Sequence, residues 1–311
     1  MRAKTAAIVV TACSKGKSVE PDPALRAAAL QSGDVASVAR RWAQLVASAD
    51  NRLPARALYQ GRAFREAELA ARPLAADIYV ISAGLGIVSA DCAIPSYSLT
   101  VVAGADNILA RLEPAPSCPS AWWRELRRET GTLSFGDLFG SSSGPILLAG
   151  GSSYLSMIAH EFDELGAGEL ARLRLFTAAS RPAIPRLLEP FTMPYDRRLE
   201  GLPGRSGTLS DFAQRALRHF AEVIIPDHPE GSAGDHAAAV DVVLAQAEAP
   251  VRRRGTSMSD EAIVALIRTN WHRADGKSAA MLRLLRDSFQ VACEQARFKK
   301  LFAEARAGLA S

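Results

Sequence analysis

Short apolar runs alternate, along the first two thirds of this 311-residue chain, with longer stretches in which apolar residues recur at helical spacing. Four runs have the length and the aliphatic or β-branched content of buried strands. They are residues 5–10, containing Ile8-Val9-Val10; residues 77–82, containing Ile78-Tyr79-Val80-Ile81; residues 145–149, containing Ile146-Leu147-Leu148; and residues 173–177, Leu173-Arg174-Leu175-Phe176-Thr177. Between them, Val35, Val38, Trp42, Leu45 and Val46 trace one helical face within 23–49. Pro54 opens a second helix carrying Leu58-Tyr59-Gln60-Gly61 and Phe64. Helical spacing predicts further helices over 106–130, including Trp122-Trp123, over 155–165, and over 212–223 on Phe212, Ala216, Leu217 and Phe220. Residues 86–100 read as a loop or a hairpin. Strands alternating with helices predict an α/β fold with a mostly parallel sheet flanked by helices.

Three of the four strands end in small polar residues: Thr11-Ala12-Cys13-Ser14-Lys15-Gly16-Lys17, Ser82-Ala83-Gly84-Leu85-Gly86, and Gly150-Gly151-Ser152-Ser153-Tyr154. Ligands of open α/β sheets sit past the carboxyl ends of the strands, so these loops predict one shared pocket. Its expected lining is Cys13, Ser14, Lys15, Lys17, Tyr59, Ser82, Gly84, Gly86, Tyr97, Gly150, Gly151 and Ser152, a set suited to a polar or anionic ligand. Strand-to-helix turns also require small residues and caps for purely local reasons. Cys13 reads more readily as a small core filler than as a nucleophile, since no His lies nearby in sequence to activate it, and Tyr97 equally as packing for the turn after Pro95.

The last third is organised differently. Residues 226–250 have the composition of a linker with a connecting helix near 235–248, followed by Arg252-Arg253-Arg254. Three short helices are predicted beyond, over 259–270, 276–287 and 291–306. Ser257 and Asp260 have capping-box spacing. The chain thus divides into an α/β domain over 1–225, a connector over 226–250 and a helical module over 251–311. Twelve of the 37 Lys and Arg residues lie in 251–311 against six of the 33 Asp and Glu, so the whole positive excess is there. A basic three-helix module fits a helix-turn-helix whose recognition helix enters the major groove, with Arg252, Arg253, Arg254, Lys277, Gln295, Arg297, Lys299 and Lys300 as the DNA contacts. A helical cap or a dimerisation module has the same pattern.

Composition removes several classes. No apolar run approaches the ~18 residues of a membrane span, and the first apolar stretch is shorter than the ~7–15 residues of a secretory signal, so the expected location is the cytoplasm. The four cysteines are scattered without a CxxC pair and the five histidines lack ligand spacing, so no metal, cofactor or disulfide framework is expected. No obligate protein partner is evident.

The motifs Thr11-Ala12-Cys13-Ser14-Lys15-Gly16-Lys17, Leu58-Tyr59-Gln60-Gly61, Ser82-Ala83-Gly84-Leu85-Gly86 and Ile94-Pro95-Ser96-Tyr97 resemble those of a bacterial family of phage-defence domains. These motifs are short, and the likeness covers roughly residues 5–220. The pattern is similar, more distantly, to a domain of archaeosine synthases, which resemble the uracil-DNA-glycosylase fold. It also resembles the anti-phage DNA glycosylases that excise glucosylated hydroxymethylcytosine. Separately, Met281-Leu282-Arg283 and the run from Ala292 to Phe298 resemble small winged-helix modules. The resemblance implies hydrolysis of an N-glycosidic bond in modified, phage-type DNA. Many uracil-DNA glycosylases carry a water-activating Asp or Asn just after the first strand, whereas this chain has Thr11, Cys13 and Ser14 there. The carboxylate must then come from Asp91, Asp196 or Asp211. Asp196 could equally pair with a neighbouring arginine, and Asp211 could cap the following helix. A base-modifying transferase acting on RNA or a nucleotide, and a DNA-binding regulator with a nucleotide-sensing domain, are the alternative functions.

Overall fold

A computed structural model describes residues 7–249 and 256–309. The central sheet has five strands: β1 (Ile8–Ala12), β2 (Asp77–Ser82), β3 (Gly86–Ser89), β4 (Ile146–Ala149) and β5 (Leu173–Phe176), in the order β3-β2-β1-β4-β5. β1 runs parallel to both neighbours, with Val9 opposite Ile78 on one side and Leu147 on the other. Ile8, Val9 and Val10 are buried there, as expected for a central strand covered on both faces. β3 is antiparallel to β2, with Ile87 opposite Ile81, so the segment after the second strand is a hairpin.

Helices flank this sheet. α1 (Val35–Ala47), α2 (Arg62–Ala71), α3 (Pro119–Thr130), α4 (Ser152–Ile158) and α5 (Phe212–His219) supply its cover. α2 and α5 pack on each other and on the sheet, while α3 packs between α1 and α4. Several elements are shorter than their periodicity predicts. The alanine-rich start of 23–49 forms two 3-10 turns, and the 106–130 helix begins only at Pro119, because Pro114 and Pro116 lack the backbone N–H that a helix interior uses.

The chain folds as two compact units, Met1–Ala249 and Pro250–Ser311. The segment read as a connector belongs to the first unit. α6 (Ala233–Ala245) buries His236, Val240 and Leu244 in that unit's core, which no free linker would do. The second unit has its own core, built by Ile263 and Ile267 on α7 (Asp260–Thr269), Met281 on α8 (Ser278–Arg283), Leu285 on the turn that follows, and Phe298 and Leu301 on α9 (Gln295–Ala307). Its first helix is capped by Ser259, whose Oγ accepts from Ala262 N at 3.2 Å, rather than by Ser257. Ala292 is exposed there. Among the described residues, no helix is long and apolar enough to cross a membrane.

Candidate functional site

The site begins with the turn after β2. Ser82 is fully buried, and its Oγ accepts backbone N–H groups from Gly84 at 3.2 Å and Leu85 at 2.9 Å. With both lone pairs filled, its hydrogen goes to the Tyr97 hydroxyl, 2.6 Å away. Tyr97 in turn meets the Tyr59 hydroxyl at 2.7 Å. Two buried indoles lock the same turn: Trp42 donates to Gly84 O at 2.6 Å and Trp122 to Ala83 O at 2.8 Å. Glycine is required at Gly84, because a Cβ there would stand 2.8 Å from the Tyr97 ring. At Gly86 the backbone has φ +77°, and a Cβ would overlap Thr132.

The loop after β1 lies across this scaffold. Ser18 N bonds to Leu58 O and Gln60 N to Gly16 O, each at 2.9 Å, clamping the Cys13–Lys17 turn to the Leu58-Tyr59-Gln60 segment. Ser14 contributes to that clamp, its hydroxyl donating to Gln60 O. Lys17 is half-buried, with Nζ 4.4 Å above the Tyr97 ring centre and one hydrogen bond, to Ser14 O at 3.3 Å. Burial pulls its pKa below the ordinary lysine range, outweighing the opposing pull of Cys13 and Asp106. Cys13 Sγ lies 3.1 Å from the hydroxyl of Tyr154, on α4 just past the end of β4. Burial, with a smaller contribution from the neighbouring Cys13, pushes the Tyr59, Tyr97 and Tyr154 hydroxyls upward, so all three remain protonated donors at neutral pH.

These elements enclose a cavity of about 410 Å³ lined by Cys13, Ser14, Lys15, Lys17, Thr100, Asp106 and Tyr154, with a rim at 102–105. Sequence reasoning missed three of these residues. Asp106 is the cavity's carboxylate. Ser98 Oγ donates to its Oδ2 at 2.6 Å and Ala28 N to its Oδ1 at 3.3 Å. Its backbone accepts from Thr100 N at 2.9 Å, which fixes the rim loop. Asp106 was hidden inside a presumed helix, and Thr100 at the end of a presumed loop. Tyr154 stood in the quoted glycine-serine run, and that was the available signal.

The expected carboxylates lie elsewhere. Asp91 follows the antiparallel strand β3, whose Ser89 pairs with Tyr79 near the start of β2. It therefore sits at the opposite edge of the sheet, exposed and paired with Arg56 at 2.6 Å. Asp196 caps a short 3-10 turn and pairs with Arg198 at 2.9 Å; burial raises its pKa, but the Arg198 contacts win and hold it low. Asp211 is buried for a structural reason. Its Oδ1 accepts from Arg215 Nε at 2.7 Å and from Thr208 N at 2.9 Å, and Arg62 lies 3.4 Å from its Oδ2. The fully buried Arg215 also donates to Thr208 O at 2.9 Å.

Ser14, Ser82 and Ser152 do not form one cluster. Ser14 borders the cavity but spends its hydroxyl on Gln60, and Ser82 is sealed beneath Tyr97. Ser152 opens α4 and, like Gly84, Gly86, Gly150 and Gly151, is absent from the lining. Gly150 N instead bonds to Phe176 O at 3.1 Å, joining β4 to β5. Tyr59 and Tyr97 sit behind Lys17 rather than in the lining. Among the described residues no cluster of His, Cys, Asp or Glu has the makings of a metal site.

In the second unit, Arg297 is committed to structure, with Nε 2.7 Å from Asp260 Oδ1 and Nη2 2.8 Å from Met258 O. Gln295, Lys299 and Lys300 are exposed on α9, and Lys277 is exposed 3.9 Å from Asp275. Arg252, Arg253 and Arg254 lie outside the described residues. No family model, curated protein or solved structure matches this chain.

Proposed function

We propose that the first unit is a DNA N-glycosidase that removes a modified base, of the kind found in phage DNA, and that the basic helical unit supplies affinity for the duplex in the manner of a helix-turn-helix. One observation carries the reading: a carboxylate, Asp106, and an amine, Lys17, line a single cavity at the carboxyl edge of a mostly parallel sheet, among protonated hydroxyls. The cavity volume is in the small-molecule range of ~300–1,000 Å³, so an extruded nucleotide can enter it.

Cleavage of the bond between sugar and base builds positive charge on the sugar and negative charge on the leaving base. Asp106 stabilises the first and receives a proton from the attacking water. The Tyr154 hydroxyl and the Lys17 ammonium stabilise the second, each aimed by fixed neighbours and so costing little reorganisation. The tyrosines' raised pKa values keep their hydroxyls available as donors.

The test is incubation of the full chain with duplexes carrying glucosylated hydroxymethylcytosine, hydroxymethylcytosine, methylcytosine or uracil, with released bases and abasic sites read by mass spectrometry. Base release that D106N abolishes while duplex binding persists is the expected result. A mass gain without base loss identifies the transferase instead. Binding with no turnover on any substrate identifies the regulator.

A further inference from the structure

We propose that Lys17 is an amine nucleophile toward C1′ of the abasic sugar, giving the protein a strand-cleaving lyase activity on abasic DNA. The proposal rests on the glycosidase reading for the physiological origin of that sugar, but its chemistry needs only an aldehyde in the cavity.

Five features single out this amine. Lys17 Nζ lies over the Tyr97 ring, bonds to a neutral carbonyl, Ser14 O, and belongs to the lining of the cavity. Among the described residues no carboxylate is close enough to hold the ammonium in an ion pair, which leaves the neutral form accessible. Burial favours the neutral amine, and the direction of its pKa agrees. Lys15, the other amine of the lining, is exposed. The clamp from Gly16 O and Ser18 N to the Leu58-Tyr59-Gln60 segment holds the Lys17 backbone in place, while the Tyr97 ring floors its side chain.

The steps balance. The open-chain abasic sugar carries an aldehyde at C1′. The neutral Lys17 Nζ adds to that carbon, the carbinolamine hydroxyl takes a proton from solvent and leaves as water, and a protonated imine forms. Asp106, the carboxylate of the same cavity, takes the C2′ proton. The electron pair of that C–H bond becomes the C2′=C3′ double bond and expels the 3′ phosphate as the C3′–O bond breaks. Water then hydrolyses the imine, returning Lys17 as the free amine and releasing an unsaturated aldehyde on one strand end and a phosphate monoester on the other. No oxidant or reductant takes part.

The experiment supplies a synthetic duplex with a preformed abasic site to the full chain in the presence of borohydride, which reduces the imine to a stable amine. The expected result is a covalent protein–DNA adduct whose peptide map places the sugar on Lys17, and loss of that adduct in K17R, which keeps the charge but forms no imine. Mapping on the wild-type chain keeps the test decisive even if K17R folds poorly. Without borohydride, D106N should slow strand cleavage about a hundredfold, the usual contribution of a positioned general base, while still forming the adduct. No adduct, or an adduct on Lys15 or another amine, overturns the proposal. Base release from modified duplexes without an adduct overturns the lyase and leaves the glycosidase standing. An adduct on Lys17 without base release from any modified duplex supports the lyase and removes the glycosidase.

Discussion

Acid should weaken the first unit at pH values where carboxylates are still ionised, and His219 is the main cause. Its ring is buried on α5, with Nδ1 2.8 Å from the Tyr195 hydroxyl and the Tyr195 ring edge-on at 5.6 Å. Burial pulls its pKa down to about 4, with the Arg205 guanidinium adding to the effect and Glu222 opposing it. In an unfolded chain the same imidazole titrates near ~6.5. The native state therefore refuses a proton that the unfolded state accepts. The resulting stabilisation is complete above about pH 6.5 and drains away as pH falls toward about 4. The gap is worth at most about 3 kcal/mol, against total stabilities of ~5–15 kcal/mol, and lowers Tm by about 5–10 °C for a unit of this size. His160 and His236 are displaced in the same direction, also by burial, and add to the slope. The assay is thermal unfolding from pH 7.5 to 4.8, followed by near-UV circular dichroism of the buried tryptophans. H219Q keeps a polar partner for Tyr195 but cannot titrate, so it should start less stable at pH 7.5 and lose clearly less Tm on acidification. Equal losses in H219Q and wild type would refute the assignment.

G84A should cost about 1–3 kcal/mol through overpacking, because its methyl group would press on the Tyr97 ring, and it should lower ligand affinity by shifting the floor beneath Lys17; urea unfolding and ligand titration read both. D211N should cost about 3–5 kcal/mol because it strips the buried Arg215 of its counter-charge, whereas D91N, on an exposed pair, should change stability by less than about 0.5 kcal/mol and leave base release intact. A midpoint for D91N below that of D211N would reverse the assignment. Replacing Lys299 and Lys300 together by Ala should weaken duplex binding and flatten the slope of log affinity against log salt by about 1.8; an unchanged slope would remove α9 from the DNA contact.

The sheet was legible because its strands are encoded locally. Ile8-Val9-Val10 and Ile146-Leu147-Leu148 are buried on both faces, and such runs show in the sequence without any partner. The residue count of the elements was less legible, since alanine periodicity in 23–49 looks helical whether or not the chain turns, and the helical spacing around Trp122-Trp123 does not show that the helix begins only at Pro119. In the site, Cys13, Ser14, Lys15 and Lys17 could be read from their place after a strand. Ser82, Gly84 and Gly86 came from the same rule, yet they build the wall rather than the lining. That distinction depends on Trp42, Trp122 and Tyr97, which reach the turn from elements 15 to 42 residues away. The carboxylates show the same limit. The arginine-partner reading of Asp196 describes what the fold does with it, whereas Asp211 gives no side-chain cap to the helix it precedes and instead pairs with the buried Arg215. Asp106 is positioned by Ser98 and Ala28, and the contact with residue 28 spans 78 positions of sequence.

Lys17 and Asp106 both sit on irregular segments, and the fold makes those segments rigid by indirect means. Lys17 is carried by a turn tied to Tyr59 through an isolated bridge, and Tyr59 is tied through Tyr97 to Ser82 at the end of β2. Asp106 closes a loop whose ends are joined by the Thr100–Asn107 bridge, while Ser98 is held beside Arg26 by a second bridge. Buried hydrogen bonds are costly to break and therefore transmit position. Loss of one hydroxyl in the middle of the chain, as in Y97F, removes two bonds at once and strands the hydrogen of Ser82 in the core. Its effect should therefore reach Lys17, although the substituted atom touches no ligand. Lys17 and Asp106 thus lie in loops while their geometry is set by the sheet behind them.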